Sequence, residues 1–165
     1  VLVVYLATAN SYRNERLQIW LHPESHEKGF QTIQALYAIG SGGIFGKGLG
    51  QSMQKMGFIP ESHNDMIFSI ICEEFGILGL LIVTTLFITI FYRCIKISIN
   101  QTDLFGKYLS FGLSFMLIFQ TLLNLMVVVG ILPVTGVTLP FISYGGSSLL
   151  TSYAMIGIIL NIKGK

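Results

Sequence analysis

Two adjacent carboxylates, Glu73 and Glu74, stand in a run from Met66 to Tyr92 that holds no other Asp, Glu, Lys or Arg. A carboxylate deep in lipid costs a few kcal/mol on insertion scales, so the pair must face a helix bundle, an aqueous cavity or the interface. Adjacent helical residues diverge by about 100°, so the two cannot share one direction. No Lys or Arg in the apolar runs can pair with them, and a partner from outside this sequence is expected. Asp65 lies eight residues before Glu73, at the mouth of the same run. From the residues alone, Ser62-His-Asn-Asp65 is a weak capping pattern, in which an acidic first-turn residue gains about 0.3–1 kcal/mol from the helix macrodipole.

The segment Gly40-Ser-Gly-Gly-Ile-Phe-Gly-Lys-Gly-Leu-Gly50 has enough glycine for its amides to approach an anion closely, with Lys47 and Lys55 adding charge. It is not a phosphate-binding P-loop: Gly48 follows Gly46-Lys47 where Ser or Thr is needed, and Ser41 stands where the pattern requires Gly. The alternative is a set of tight turns that pack the segment against the membrane face. Ser143, Gly145, Gly146, Ser147 and Ser148 cluster at the mouth of the last apolar run. Such residues permit close helix approach and interhelical hydrogen bonds, or they form a polar patch facing a substrate. His22 and His26 are four apart but interrupted by Pro23, and His63 is distant, so no metal site is expected from them.

The elements that position these groups follow from hydropathy. Of 165 residues, 52% are hydrophobic and 11% charged, with a mean hydropathy of +0.69, against roughly a quarter charged in an ordinary soluble domain. Lipid is therefore the expected solvent. A bilayer core needs about 20 apolar helical residues, which places membrane-spanning helices at 66–92, 108–132 and 141–162. Residues 1–10 are apolar but too short to cross, and read as the outer end of a truncated span. Between them lies a large loop, 11–65, too long to be structureless. Within it Phe30, Ile33, Leu36, Tyr37 and Gly40 follow helical spacing, which predicts a short interfacial helix. Tyr12, Trp20 and Tyr37 fit an aromatic belt.

Charge sets the orientation. The 11–65 loop has no net charge, whereas the 93–107 loop and the 163–165 tail together sum to plus four. The basic segments are expected in the cytoplasm, and the 11–65 and 133–140 loops outside. Cys72 and Cys94 would lie about 33 Å apart on one helix and cannot pair. The net charge of +2 suggests no nucleic-acid partner.

Five blocks, in this order, resemble the SEDS family, the FtsW, RodA and SpoVE group. They are Arg16-Leu-Gln-Ile-Trp-Leu-His-Pro-Glu24, Gln34 to Gly50, Ile59-Pro-Glu-Ser-His-Asn-Asp65, Glu73-Glu74-Phe-Gly76 and Leu139-Pro-Phe-Ile-Ser-Tyr-Gly-Gly-Ser-Ser148. Gly-Lys-Gly-Leu-Gly-Gln-Ser resembles the FtsW and SpoVE form more than that of RodA. The resemblance implies an all-α polytopic membrane protein, this chain being the C-terminal part of its helix bundle with a large structured extracellular loop.

The implied activity is that of a peptidoglycan glycosyltransferase polymerising lipid II, the undecaprenyl-pyrophosphate-linked disaccharide peptide, in cell division or cell-shape maintenance. Asp65 matches the family's catalytic aspartate, although Asn64 replaces the usual Thr and Met66 the usual Phe. Arg13, Arg16, Lys47 and Lys55, or a divalent cation such as Mg or Mn, are implied for the departing pyrophosphate, and Ser143, Ser147 and Ser148 for substrate binding. Glu73, Glu74, Gly145 and Gly146 are assigned structural or coupling roles. A class B penicillin-binding protein and other division or elongation membrane proteins are the implied partners, in the bacterial cytoplasmic membrane. A segment of this length is expected to be inactive alone. Competing readings are a flippase for the lipid-linked precursor and a non-enzymatic scaffold of the division machinery.

Overall fold

The computed structural model describes residues 15–25, 27–53 and 64–163. The expected span remnant at 1–10, together with Tyr12, Arg13, His26, Lys55 and the stretch 59–63, lies outside the described residues. Residues 15–21 are helical, and a 3-10 turn follows at Pro23–Ser25. Then come helix α1 (Glu27–Ser41), α2 (Ile67–Ile99), α3 (Leu104–Val128) and α4 (Gly146–Lys163). Among the described residues there is no strand. Helix α2 packs along α3 and α4, α4 also packs on α3, and α1 lies against α2 and touches α3.

By length and composition, α2 and α3 are long and apolar enough to cross a membrane. Helix α4 has 18 residues, about 27 Å, at the short end of a spanning helix. The helix ends differ from those expected at 66–92, 108–132 and 141–162. Helix α2 continues past Tyr92 to Ile99, so the expected 93–107 loop shrinks to residues 100–103. Asp103 then starts α3 four residues early by accepting a hydrogen bond from the Gly106 amide at 2.8 Å. Charge marks where lipid ends, not where a helix must. At the other side α3 stops at Val128, and α4 begins only at Gly146, because Phe141 takes a left-handed φ of 66° in a turn closed by Ser143 N donating to Leu139 O at 3.0 Å.

The packing has the polarity of a lipid-solvated bundle. A stripe of Gly106, Ser110, Ser114, Leu117, Thr121 and Asn124 is buried along α3, with helical spacing and small side chains that allow close approach. Ser110 and Ser114 donate to the carbonyls four residues back, each at 2.7 Å, so their hydroxyls need no external partner. Large apolar groups such as Leu81, Ile82, Leu86, Ile88, Phe115 and Met116 point outward. In α1 the buried face is Ala35 and Ala38, while Phe30, Leu36 and Tyr37 are exposed, as an interfacial helix would place them. Cys72 and Cys94 are both buried and unbridged.

Helix α2 is broken at Gly76, whose φ of 64° and ψ of −153° are non-helical and essentially open only to glycine. In an unbroken helix the amides of Ile77 and Leu78 would donate to the carbonyls of Glu73 and Glu74. Here they donate to Gly43 O at 3.0 Å and Ile44 O at 3.4 Å, while Glu73 O and Glu74 O accept from Lys47 N at 2.9 Å and Gly48 N at 3.0 Å. The glycine-rich turn is thus inserted into the break and replaces both lost helical bonds. The fit requires bare backbone: a Cβ at Gly46 would sit 2.1 Å from Glu74 O, and one at Gly42 2.0 Å from Cys72 O.

Side chains close the same joint. The Glu73 carboxylate is fully buried and receives Lys47 Nζ at 2.6 Å and Ser52 Oγ at 2.5 Å, with Ser41 Oγ at 3.5 Å. Its partner is therefore Lys47 of the glycine-rich turn of this chain, which corrects the expectation of a partner elsewhere. Glu74 is 8% exposed, and its Oε1 has no hydrogen-bond partner among the described residues. From Phe75 to Tyr92 the charge-free run would measure about 27 Å as helix, close to the hydrocarbon thickness. Both carboxylates then sit at the edge of the apolar layer, not deep within it.

Two expectations follow for the full-length protein. Gly46→Ala should lower stability by about 2 kcal/mol or more, whereas Gly43→Ala, with φ of 58° and open space around its Cβ, should cost only about 1–2 kcal/mol of backbone strain; thermal unfolding in detergent compares them, and equal losses would refute the inserted-turn geometry. Lys47→Met should cost about 2 kcal/mol by stranding a buried charge, discounted because Lys47 is 33% exposed. Adding Glu73→Gln should recover part of that loss, and a double variant less stable than Lys47→Met alone would contradict the ion-pair account.

Candidate functional site

Asp65 sits one residue ahead of Met66, the N-cap of α2. The N-cap residue itself makes no side-chain cap bond, and the first turn of α2 holds no acidic residue. Asp65 is 7% exposed, next to a fully buried Met66. Its main chain is fixed from below: Asn124 Nδ2 donates to Asp65 O at 2.7 Å and to Val137 O at 2.7 Å. Asn124 is fully buried, and its Oδ1 has no partner among the described residues. One amide on α3 therefore joins the start of α2 to the connection between α3 and α4.

That connection, residues 129–145, carries most of the remaining polar contacts. Gln120 Nε2 donates to Thr138 O at 3.0 Å, one helical turn from Asn124. Arg16 Nη1 donates to Val134 O at 2.8 Å and Trp20 Nε1 to Gly130 O at 2.8 Å, so the 15–21 helix is fastened to the same loop. Glu15, Arg16 and Trp20, with Gln31 and Thr32 of α1, line a cavity of about 170 Å³. A second, shallower hollow of about 380 Å³ is lined by Gln120, Thr138, Ser147, Ser148 and Thr151. Here Thr138 and Ser148 share a hydroxyl contact at 2.7 Å.

The candidate residues fall into three groups. Asp65 is joined through Asn124 to Val137, which borders the hollow of Ser147 and Ser148, while Arg16 grips the same loop at Val134. Ser143 is set apart: it is buried, its Oγ accepting the Leu139 amide at 2.7 Å, so it shapes the turn before α4. Lys47, Glu73 and Glu74 form the joint at Gly76. The amides of Gly46, Lys47 and Gly48 are used within that joint, so the glycine-rich turn packs backbone on backbone and offers none of them to an anion. Gly145 accepts the Leu149 amide at 2.9 Å as α4 begins, and a Cβ at Gly146 would meet open space, so neither marks a close helix crossing in this structure. Arg13 and Lys55 lie outside the described residues.

Among the described residues no group of three His, Cys, Asp or Glu side chains could hold a metal ion. Sequence reasoning passed over Asn124, Gln120 and Ser52. The first two were visible as lone amides in a run with no charge from Tyr108 to Ile162, where a polar side chain demands a partner. Ser52 carried no such signal.

A family model described as a cell cycle protein, covering FtsW, RodA and SpoVE, matches residues 1–165. A probable peptidoglycan glycosyltransferase FtsW from a Geobacter species is 40% identical over 162 residues, 97% of this chain and 44% of the relative. Stage V sporulation protein E of Bacillus subtilis is 44% identical over 161 residues, 96% of this chain and 44% of that protein. Among solved structures, a chain from a peptidoglycan synthase complex superposes with a TM-score of 0.75 at 31% identity, covering 93% of this chain and 42% of its own. The rod shape determining protein RodA of Thermus thermophilus, in a variant form, gives 0.62 at 35% identity, covering 79% and 39%. The chain thus spans less than half the length of the relatives it matches, and it shares their all-α polytopic membrane fold. On the match across its length and these identities, the chain belongs to the FtsW/RodA/SpoVE family of cell cycle proteins.

Proposed function

We propose that this chain is part of a peptidoglycan glycosyltransferase that polymerises lipid II at the outer face of the bacterial cytoplasmic membrane, during division or cell-shape maintenance. The observation that carries the reading is the placement of Asp65: the resemblance puts it at the family's catalytic position, and a buried amide holds its main chain at the start of α2. In the reaction the acceptor sugar's 4-hydroxyl oxygen attacks the donor's anomeric carbon with inversion. The new glycosidic bond forms as the bond to undecaprenyl pyrophosphate breaks, and the hydroxyl proton passes to Asp65 as general base. The leaving pyrophosphate gathers negative charge, which cationic groups fixed beforehand stabilise best. Of the described candidates, Arg16 lines a cavity with its guanidinium oriented by Val134 O, whereas Lys47 is engaged with Glu73. Arg16 is therefore the favoured side chain, with Arg13 and Lys55 as further candidates and Ser147 and Ser148 as polar contacts for the sugar. A class B penicillin-binding protein is the proposed partner; the solved relative from a peptidoglycan synthase complex supports an assembly of this kind.

A flippase is the second reading, favoured by the broken helix and its buried carboxylates. The inserted turn closes the break and binds the Glu73 carboxylate, which argues for a fixed joint over a moving gate. Transport of labelled lipid II across vesicles by the purified protein, without polymerisation, would restore that reading.

In the full-length protein Asp65→Asn should express and bind its partner normally while polymerisation falls at least about 100-fold; a well-folded variant that keeps most of its activity removes Asp65 from the mechanism. Orientation is tested separately by single-cysteine labelling in a Cys-free background. Ser25→Cys should react from outside and Thr102→Cys, exposed in the 100–103 turn, only after permeabilisation. Inverted labelling would place Asp65 on the wrong side for this chemistry.

A further inference from the structure

The far end of the bundle holds a cleft that the proposed catalysis does not use. It has a volume of about 490 Å³ and is lined by Arg93, Lys96, Ile97, Asn100 and Gln101 from the end of α2 and by Leu160 of α4. Arg93 directly follows the charge-free run that ends at Tyr92, so the cleft opens where hydrocarbon gives way to headgroups. Among the described residues neither Arg93 nor Lys96 has a carboxylate partner. The nearest acidic residue in sequence, Asp103, is engaged in capping α3. Helices α2 and α4 both end here, and each C-terminal pole carries about half a negative charge. Two full cations outweigh these poles, and the cleft remains positive.

We propose that this cleft binds the headgroup of an anionic phospholipid of the phosphatidylglycerol type. Its ligand chemistry is a phosphodiester monoanion carrying hydroxyls at one end and acyl chains at the other. Arg93 offers a planar donor fork matched to two phosphate oxygens. Lys96 adds a point charge, its Nζ held 5.9 Å above the Tyr92 ring. The Gln101 amide already donates through Nε2 to Ile162 O at 3.0 Å, which directs its oxygen as an acceptor for a headgroup hydroxyl. Ile97 and Leu160 give the first acyl carbons an apolar wall. A free phosphate would use the cations but leave this apolar wall empty, which favours the lipid source.

The test titrates full-length protein in neutral-detergent micelles and reads bound lipid by native mass spectrometry. Phosphatidylglycerol should be retained in preference to phosphatidylcholine, and inorganic phosphate should not displace it. Arg93→Gln combined with Lys96→Gln should weaken retention about thirtyfold, from about fivefold per basic residue. Lys107→Gln, which removes a charge at the same end but outside the cleft, should change it less than about twofold. Asp65→Asn protein should bind the lipid as wild type does, which separates this inference from the catalytic reading. Equal retention of phosphatidylcholine, an unchanged double variant, an equal loss in Lys107→Gln, or displacement by inorganic phosphate would each overturn the proposal.

Discussion

The packing of α1 and the glycine-rich turn against α2 depends on one exchange of main-chain hydrogen bonds at Gly76. A break in an apolar helix strands amides and carbonyls where no water can reach them, at several kcal/mol each. Four such groups are freed between Glu73 and Leu78, and residues 43–48 satisfy all four. The solution dictates much around it: glycine where the backbones touch, Lys47 to neutralise Glu73, and Ser52 to fill a second carboxylate position. Because α1 leads directly into this turn, its height and direction against α2 are set by the same joint.

A second principle governs the other side of Asp65. Arg16, Trp20, Gln120 and Asn124 each donate to a carbonyl of the 129–138 stretch. A loop with two prolines has little regular structure with which to satisfy its own carbonyls. Long donors from two different segments, the 15–21 helix and α3, supply that need, and in doing so they bring those segments into register. The position of Asp65 is a product of this arrangement, since Asn124 reads its carbonyl and that of Val137 together.

Much of this was legible in the sequence, though in pieces. The glycine-rich run and the Glu73-Glu74 pair each stood out, and the SEDS resemblance ordered them, yet nothing local says that they meet. Lys47 and Glu73 are 26 residues apart and Ser52 and Glu73 are 21 apart, separations to which periodicity is blind. Helix existence was readable from apolar length, whereas helix ends depended on single local bonds, the Asp103 cap and the turn at Phe141. Asn124 was plain to see but had no meaning until its two carbonyl partners were in view. Asp65 needed the family resemblance, because its residue context alone suggested no more than a helix cap.

The inserted turn also constrains how the protein is made. Synthesis runs from the N-terminus, so residues 42–48 leave the ribosome before Gly76 does. The opening of α2 has no stable resting place until that earlier segment is waiting beside it. Membrane insertion of α2 and ordering of the glycine-rich segment are therefore a single event in biogenesis, and a lesion in the glycine run is a defect of membrane assembly as much as of a loop.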